Sequence, residues 1–173
     1  MSARSKARKE ALDQLFQADL RGSEIAVTEV REYAAEILEG VKNHKSRIDE
    51  LIRSYIQGWD FDRLPSVDRN ILRLAIWELL WGSVPESVAI DEALKLANES
   101  QYGLAASVWT SNVAKAHNFA RKLRAGTVWI NTFDALDVIT PFGGFGASGT
   151  GRDKSLHALD AYSALKTTWV DLS

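Results

Sequence analysis

The chain has 173 residues, 46% of them hydrophobic and 25% charged, the make-up of a soluble globular protein with one ordinary domain or two small ones. It contains no cysteine, which excludes disulfides, thiolate metal sites and a cysteine nucleophile. The net charge of −2 is unevenly spread: residues 1–99 carry 14 basic and 18 acidic side chains, residues 100–173 carry 7 and 5, and Arg4, Lys6, Arg8 and Lys9 all precede the first acid, Glu10.

No stretch approaches the ~20 continuous apolar residues of a membrane span. The opening "MSARSKARKEAL" is positive but has no apolar core behind it, so it does not read as a secretory signal, and a cytoplasmic location is expected. Ala7, Ala11, Leu12, Leu15 and Phe16 recur at helical spacing and predict an amphipathic helix over residues 3–20, stopped at Arg21-Gly22. Val27, Val30, Ala34, Ile37, Leu38 and Val41 predict a second helix that ends near Asn43-His44. Ser46, with Asp49 three residues on, reads as the cap of a third, whose face is Ile48, Leu51, Ile52, Tyr55 and Ile56 and which Gly58 closes. A fourth follows Pro65 with Ser66 as cap, and carries Val67, Ile71, Leu74 and Ala75 beside Leu72, Ile76, Leu79 and Leu80. Pro85 and Ser87 open a fifth. Short connections between helices make a bundle.

The pattern changes after Tyr102-Gly103. Strands are expected over 104–109, 127–131 and 167–171. Between the first two lies a helix over 112–124, capped by Ser111, with the stripe Val113, Ala116, Ala120 and Leu123 and with Gly126 as its C-terminal cap. "SLHALDAYSALK" reads as another helix. The whole is therefore α+β: an all-α bundle, then a small α/β part with three short strands and two helices. Gly144, Gly146 and Gly149 satisfy G-x-G-x-x-G, but the loop does not join a strand directly to a helix, so a structural loop with unusual backbone angles is the better reading than a phosphate cradle. His44, His117 and His157 lack metal-site spacing, and neither a metal nor a cofactor is expected.

Two resemblances follow from these residues. "RSKARKEALDQLFQADLRG", "YAAEILEGVKNHKSRIDELIRSYIQGWDFDRLPSVDRNILRLAIWELL" and "VPESVAIDEALKLA" resemble the NusB transcription antitermination factors from about Arg4 to Ala97, most specifically at Pro65-x-x-Asp68-Arg69-x-Ile71-Leu72-Arg73. The resemblance implies a helical RNA-binding fold whose basic first helix meets boxA RNA and whose protein partner is NusE, a small-subunit ribosomal protein. It places the RNA contact on Arg4, Lys6 and Arg8, with Lys9 keeping the sign of the charge. From charge alone, a basic turn opposing the helix dipole fits either an anionic partner or a solvated end. Arg69 and Arg73 are expected to be structural, pairing with Asp68 or Glu78. The family's last helices have no counterpart after "VAIDEALKLA", so the bundle is expected to lack them.

"ANESQYGLAASVWTSNVAKAHNFARKLRAGTVWIN", "PFGGFGASGTGRD" and "HALDAYSALKTTWV" resemble the C-terminal end of aldehyde dehydrogenases, from about Ala97 to Leu172. "GRDKSLHAL" is similar to the members acting on γ-glutamyl-aminobutyraldehyde. That resemblance implies that Phe133, Leu136 and Phe142 descend from an aldehyde pocket and that the terminal strand associates subunits. The family's nucleotide domain and catalytic cysteine lie upstream of the matching segment, where this chain has its helices instead. No catalytic residue is therefore assigned, the three side chains read as packing groups, and an NAD-dependent dehydrogenase is the third reading, after an RNA-binding factor and a self-associating scaffold. The expectation is a chimera of residues 1–98 and 99–173, crossing within "DEALKLANE", with exposed strand edges in its second part favouring self-association.

Overall fold

In the computed structural model, which describes residues 2–56 and 60–172, four helices form the first part: α1 (Ala3–Arg21), α2 (Glu32–Tyr55), α3 (Ser66–Leu80) and α4 (Glu86–Asn98). Each has a reason in the chain. Ser2 caps α1 by accepting from the Ser5 N–H at 3.1 Å, and Gly22 ends it in the left-handed region at φ 59°, where glycine costs nothing. Pro65 and Pro85 stand at the N-caps of α3 and α4. Ser66 is thus the first helical residue and not the expected cap; its carbonyl accepts from Asn70 Nδ2 instead.

The expected break at Asn43-His44 does not occur, and α2 runs through it. The buried stripe Ile37, Val41, Ile48, Ile52 keeps one face across those residues, and neither glycine nor proline falls between Val41 and Ile52. His44 Nδ1 lies 2.9 Å from the Gly40 carbonyl oxygen. Val27 and Val30, read as the start of this helix, belong to an extended strap over 22–31 that packs on the core with Ile25. The strap ends where Glu10 accepts from the backbone N–H and the guanidinium of Arg31. Gly58, expected to close the helix, lies outside the described residues. Gly40 has a separate role: a Cβ there would fall inside the Trp77 indole of α3, so the two helices can approach only at a glycine.

The second part pairs β1 (Ala105–Val108) with β2 (Thr127–Ile130) in parallel, Ala105 opposite Thr127 and Val108 opposite Ile130. A parallel pair needs a crossover, and α5 (Val113–Lys122) supplies it. Its cap is Asn112, which accepts from the Lys115 N–H at 2.9 Å, and not Ser111. The helix stops at Lys122, so Gly126 does not cap it. Gly126 instead donates its N–H to the Gly103 carbonyl and presses against the Gly143 carbonyl, where a side chain would not fit. The expected third strand is absent among the described residues: 167–171 has no ladder and is exposed, since neither edge of the two-stranded sheet has reached it. The expected last helix is a 3-10 turn at Leu156–Ala158 followed by the single turn α6 (Leu159–Tyr162).

Candidate nucleic-acid interface

The first turn of α1 contains no acid. Arg4, Lys6 and Lys9 are exposed there, while Arg8 is buried at 2% exposure. The sequence reading put all four on one basic surface; the fold brings three to solvent and turns the fourth inward. Arg8 Nε donates to both carboxylate oxygens of Glu78, at 2.8 and 3.0 Å, and Glu78 is itself fully buried. Tyr33 Oη donates to the same carboxylate, and Arg8 Nη1 lies 3.6 Å from Glu92. One side chain from each of the four helices thus meets in a single cluster. A buried arginine–carboxylate pair persists where its geometry is good and further hydrogen bonds complete it. Both conditions hold on the Glu78 side, while Arg8 Nη2 is buried with no hydrogen-bond partner among the described residues.

Above this cluster the Tyr33 ring carries two guanidinium groups, Arg4 at 5.0 Å and Arg8 at 5.4 Å from its centroid. Burial and the hydrogen bond to Glu78 push the Tyr33 phenol well above its ordinary value, so the hydroxyl stays a donor at any physiological pH. Lys9 has different surroundings. It lies 3.6 Å from Glu99, and the Asp13 carboxyl nearby is raised, first by burial, with Lys9 opposing and Glu99 and Glu10 adding to the rise. Lys9 thus has a carboxylate neighbour within the protein, unlike Arg4 or Lys6, which form no ion pair among the described residues.

A second ion cluster holds the other end of the bundle. Arg73 donates to both oxygens of Asp49, at 2.7 and 2.9 Å, and to Asp19 at 3.1 Å. Arg69 reaches Asp19 at 2.6 Å. Both arginines are structural, as expected, but through Asp19 and Asp49 and not through Asp68 or Glu78. Partners on α1 and α2 are 50 and 24 residues away in the chain, which local spacing could not show. Burial would raise the Asp19 carboxyl, but the hydrogen bonds from Arg69 and Arg73 outweigh it and the net shift is downward.

In the second part Phe133 stands edge-on to Trp129, with ring centroids 5.0 Å apart at 71°. Trp129 Nε1 donates to the Ala135 carbonyl. Leu136 is 42% exposed, and Phe142 pairs its backbone with Asp153. The glycine loop closes on its own chain. Gly146 and Gly149 have φ of 59° and 84°, and a Cβ on Gly144 would sit 2.6 Å from that of Ser148. Arg152, unremarked in the sequence, pins the loop by donating to the carbonyls of Gly144, Thr150 and Gly151 and stacking on Phe145. Among the described residues no group of His, Asp and Glu is placed to hold a metal ion, and no helix is long and apolar enough to cross a membrane.

The NusB family model matches residues 3–107 and the aldehyde dehydrogenase family model residues 83–168. The transcription antitermination protein NusB of Nocardioides sp. (strain ATCC BAA-499 / JS614) is 49% identical over 110 residues, covering 57% of this chain and 82% of that protein. The NADP/NAD-dependent aldehyde dehydrogenase PuuC of Escherichia coli (strain K12) is 52% identical over 82 residues, covering 47% of this chain and 17% of the enzyme. The crystal structure of γ-glutamyl-γ-aminobutyraldehyde dehydrogenase from Burkholderia cenocepacia J2315 is 59% identical, covering 45% of this chain and 16% of that one, with a TM-score of 0.43. The chain spans about a sixth of the length of these aldehyde dehydrogenases. It joins a segment similar to one family to a segment similar to the other, and the two matches overlap on residues 83–107, which contain α4.

Proposed function

The chain belongs to the NusB family through residues 3–107, and on that premise we propose that residues 1–98 form an RNA-binding unit acting in transcription antitermination. The proposed ligand is boxA-type single-stranded RNA, the proposed protein partner is NusE, and the expected location is the cytoplasm. The observation that carries the reading is the acid-free first turn of α1, with Arg4 and Lys6 exposed and unanswered by carboxylates. Phosphates supply the missing counter-charge, and the protein already bears the cost of cations at the positive end of a helix. Lys9 contributes less, because Glu99 competes for it. Arg8 supports the surface from inside.

The test is equilibrium RNA binding across a salt series with the Arg4→Ala/Lys6→Ala/Lys9→Ala variant. Each lost phosphate contact should flatten the log–log salt dependence by ~0.7. A variant with the affinity and slope of the parent protein would refute this surface.

Residues 99–173 are proposed to be non-catalytic. A thiohemiacetal needs a cysteine, and the chain has none; NADH formation from aminoaldehydes by the purified protein would overturn that assignment. One observation favours a second role, self-association. Leu165, Trp169 and Leu172 are at least 90% exposed on a segment that belongs to no strand among the described residues, and exposed apolar side chains of this kind recruit other chains.

A further inference from the structure

Arg4 is aimed as well as exposed. Its partner is the ring of Tyr33, 5.0 Å from guanidinium carbon to centroid, and no carboxylate pairs with it among the described residues. The distinction matters chemically. A carboxylate would hold the side chain by cancelling its charge and occupying its N–H groups. An aromatic face attracts the cation through the ring quadrupole without cancelling its charge or accepting its N–H groups as a carboxylate would, so donors remain open to a phosphate.

The ring is itself fixed. Tyr33 is the second residue of α2, a place where a side chain ordinarily frays with its helix end. Here its hydroxyl donates to Glu78, which has no solvent exposure and is held through both oxygens by Arg8 Nε. Arg8 also lies against the ring, at 5.4 Å, one helical turn along α1 from Arg4. The buried pair therefore anchors Tyr33, and Tyr33 anchors Arg4. We propose that Tyr33 is a positioning residue of the RNA surface: its ring, locked by the Arg8–Glu78 pair, pre-orders the Arg4 guanidinium for a phosphate while leaving its donors free. This rests on the RNA-binding reading above.

The experiment measures binding of the full chain to a boxA-type single strand across a salt series, for the parent protein, Arg4→Ala, Tyr33→Phe, Tyr33→Leu and the Arg4→Ala/Tyr33→Leu pair. Tyr33→Leu should weaken binding two- to five-fold, as a lost exposed cation–π contact would. Arg4→Ala should then add much less in that background than in the parent, while Tyr33→Phe, which keeps the ring but loses the hydroxyl that locks it on Glu78, should fall between the parent and Tyr33→Leu. A structural readout accompanies this: the Arg4 δ-methylene protons should be shifted upfield by the ring in the free parent protein, less so in Tyr33→Phe, and not in Tyr33→Leu. Should Tyr33→Leu not fold, Arg4→Lys decides, since it keeps the charge and loses the flat stacking group; a two-fold or larger loss is expected, and parent-like affinity overturns the proposal. Multiplicative effects of the two substitutions, unchanged binding by Tyr33→Leu, or an absent upfield shift in the parent each overturn it too. A parent protein that binds no RNA fails before any variant is compared and removes the functional reading with it; normal parent binding with an indifferent Tyr33→Leu removes this proposal alone.

Discussion

Arg8 is the residue for which a binding role and a folding role predict opposite outcomes. Arg8→Ala leaves the Glu78 carboxylate, 0% exposed, without the two contacts it receives from Arg8 Nε, and keeps only the Tyr33 hydroxyl on it. Removing one partner of a buried ion pair typically costs about 3–5 kcal/mol, a large share of the ~5–15 kcal/mol by which a domain is stable. With a urea dependence near ~2 kcal/mol per molar, the unfolding midpoint should fall by about 1.5–2.5 M. Removing both charges, as Arg8→Met/Glu78→Leu, should recover more than half of that loss, because the stranded carboxylate goes too. Where Arg8→Ala is still folded, the salt dependence of RNA binding should match that of the parent. The opposite pattern would refute the reasoning: a midpoint within ~0.5 M of the parent, and a salt slope flattened by about 0.7. It would mean that Arg8 leaves Glu78 to meet the phosphate.

Three further outcomes are expected. Asp19 has a lowered carboxyl in the folded chain, so its contribution is complete above the unfolded carboxyl's range near pH ~4 and is lost as pH falls through the lower folded value; Asp19→Asn should cost about 1–3 kcal/mol at neutral pH, with the gap to the parent closing in acid, and a gap independent of pH would contradict the pairing with Arg69 and Arg73. Gly126→Ala should strip hydrogen-exchange protection from residues 105–130 and leave that of α1–α3 intact, because the new Cβ meets the Gly143 backbone; loss of protection in both would show that 1–98 and 99–173 unfold as one unit. Serine at Leu165, Trp169 and Leu172 together should shift sedimentation toward monomer, and an unaltered distribution would remove the self-association role from this segment.

The legible parts of the fold were those with local causes. Gly22, Pro65 and Pro85 bracket apolar stripes, so α1, α3 and α4 stand in the sequence almost as they stand in the structure. Helix α2 reads in the sequence as two because Asn43 and His44 look like a stop, although the face Ile37–Val41–Ile48–Ile52 passes straight through them. Arg8 carried a signal that charge reading overlooked: it lies four residues before Leu12 and seven before Leu15, on the buried stripe and not beside it. Its partner Glu78 is 70 residues away, and nothing local names that partner. The same holds for Gly40, whose need is set by Trp77 across the helix interface. The segment 167–171 shows the limit from the other side, because β-prone composition makes a strand only where another strand supplies the ladder.

The join between the two parts is a matter of helix faces. On α4, Ala93, Leu96 and Ala97 pack toward the bundle core. The same helix turns Glu86, Ile90 and Asp91 toward α5, with Glu86 paired to Lys115 and Asp91 to Lys122. Asn98, its last residue, both donates to the Lys122 carbonyl at 2.8 Å and accepts from the Arg124 N–H at 2.7 Å, which fixes the end of α5 to the end of α4. The two ion pairs are exposed and contribute little; the Asn98 clasp satisfies two backbone groups that the end of α5 leaves open. A helix has room for both demands because its faces are independent: residues at i, i+3 and i+4 answer to one neighbour while those between answer to another. The two family matches overlap on residues 83–107, which contain this helix, and its one amphipathic phrase serves a bundle on one side and a crossover helix on the other. A chain whose similarity passes from one family to another inside such a helix keeps every local signal for that helix intact, which is why α4 forms across the join.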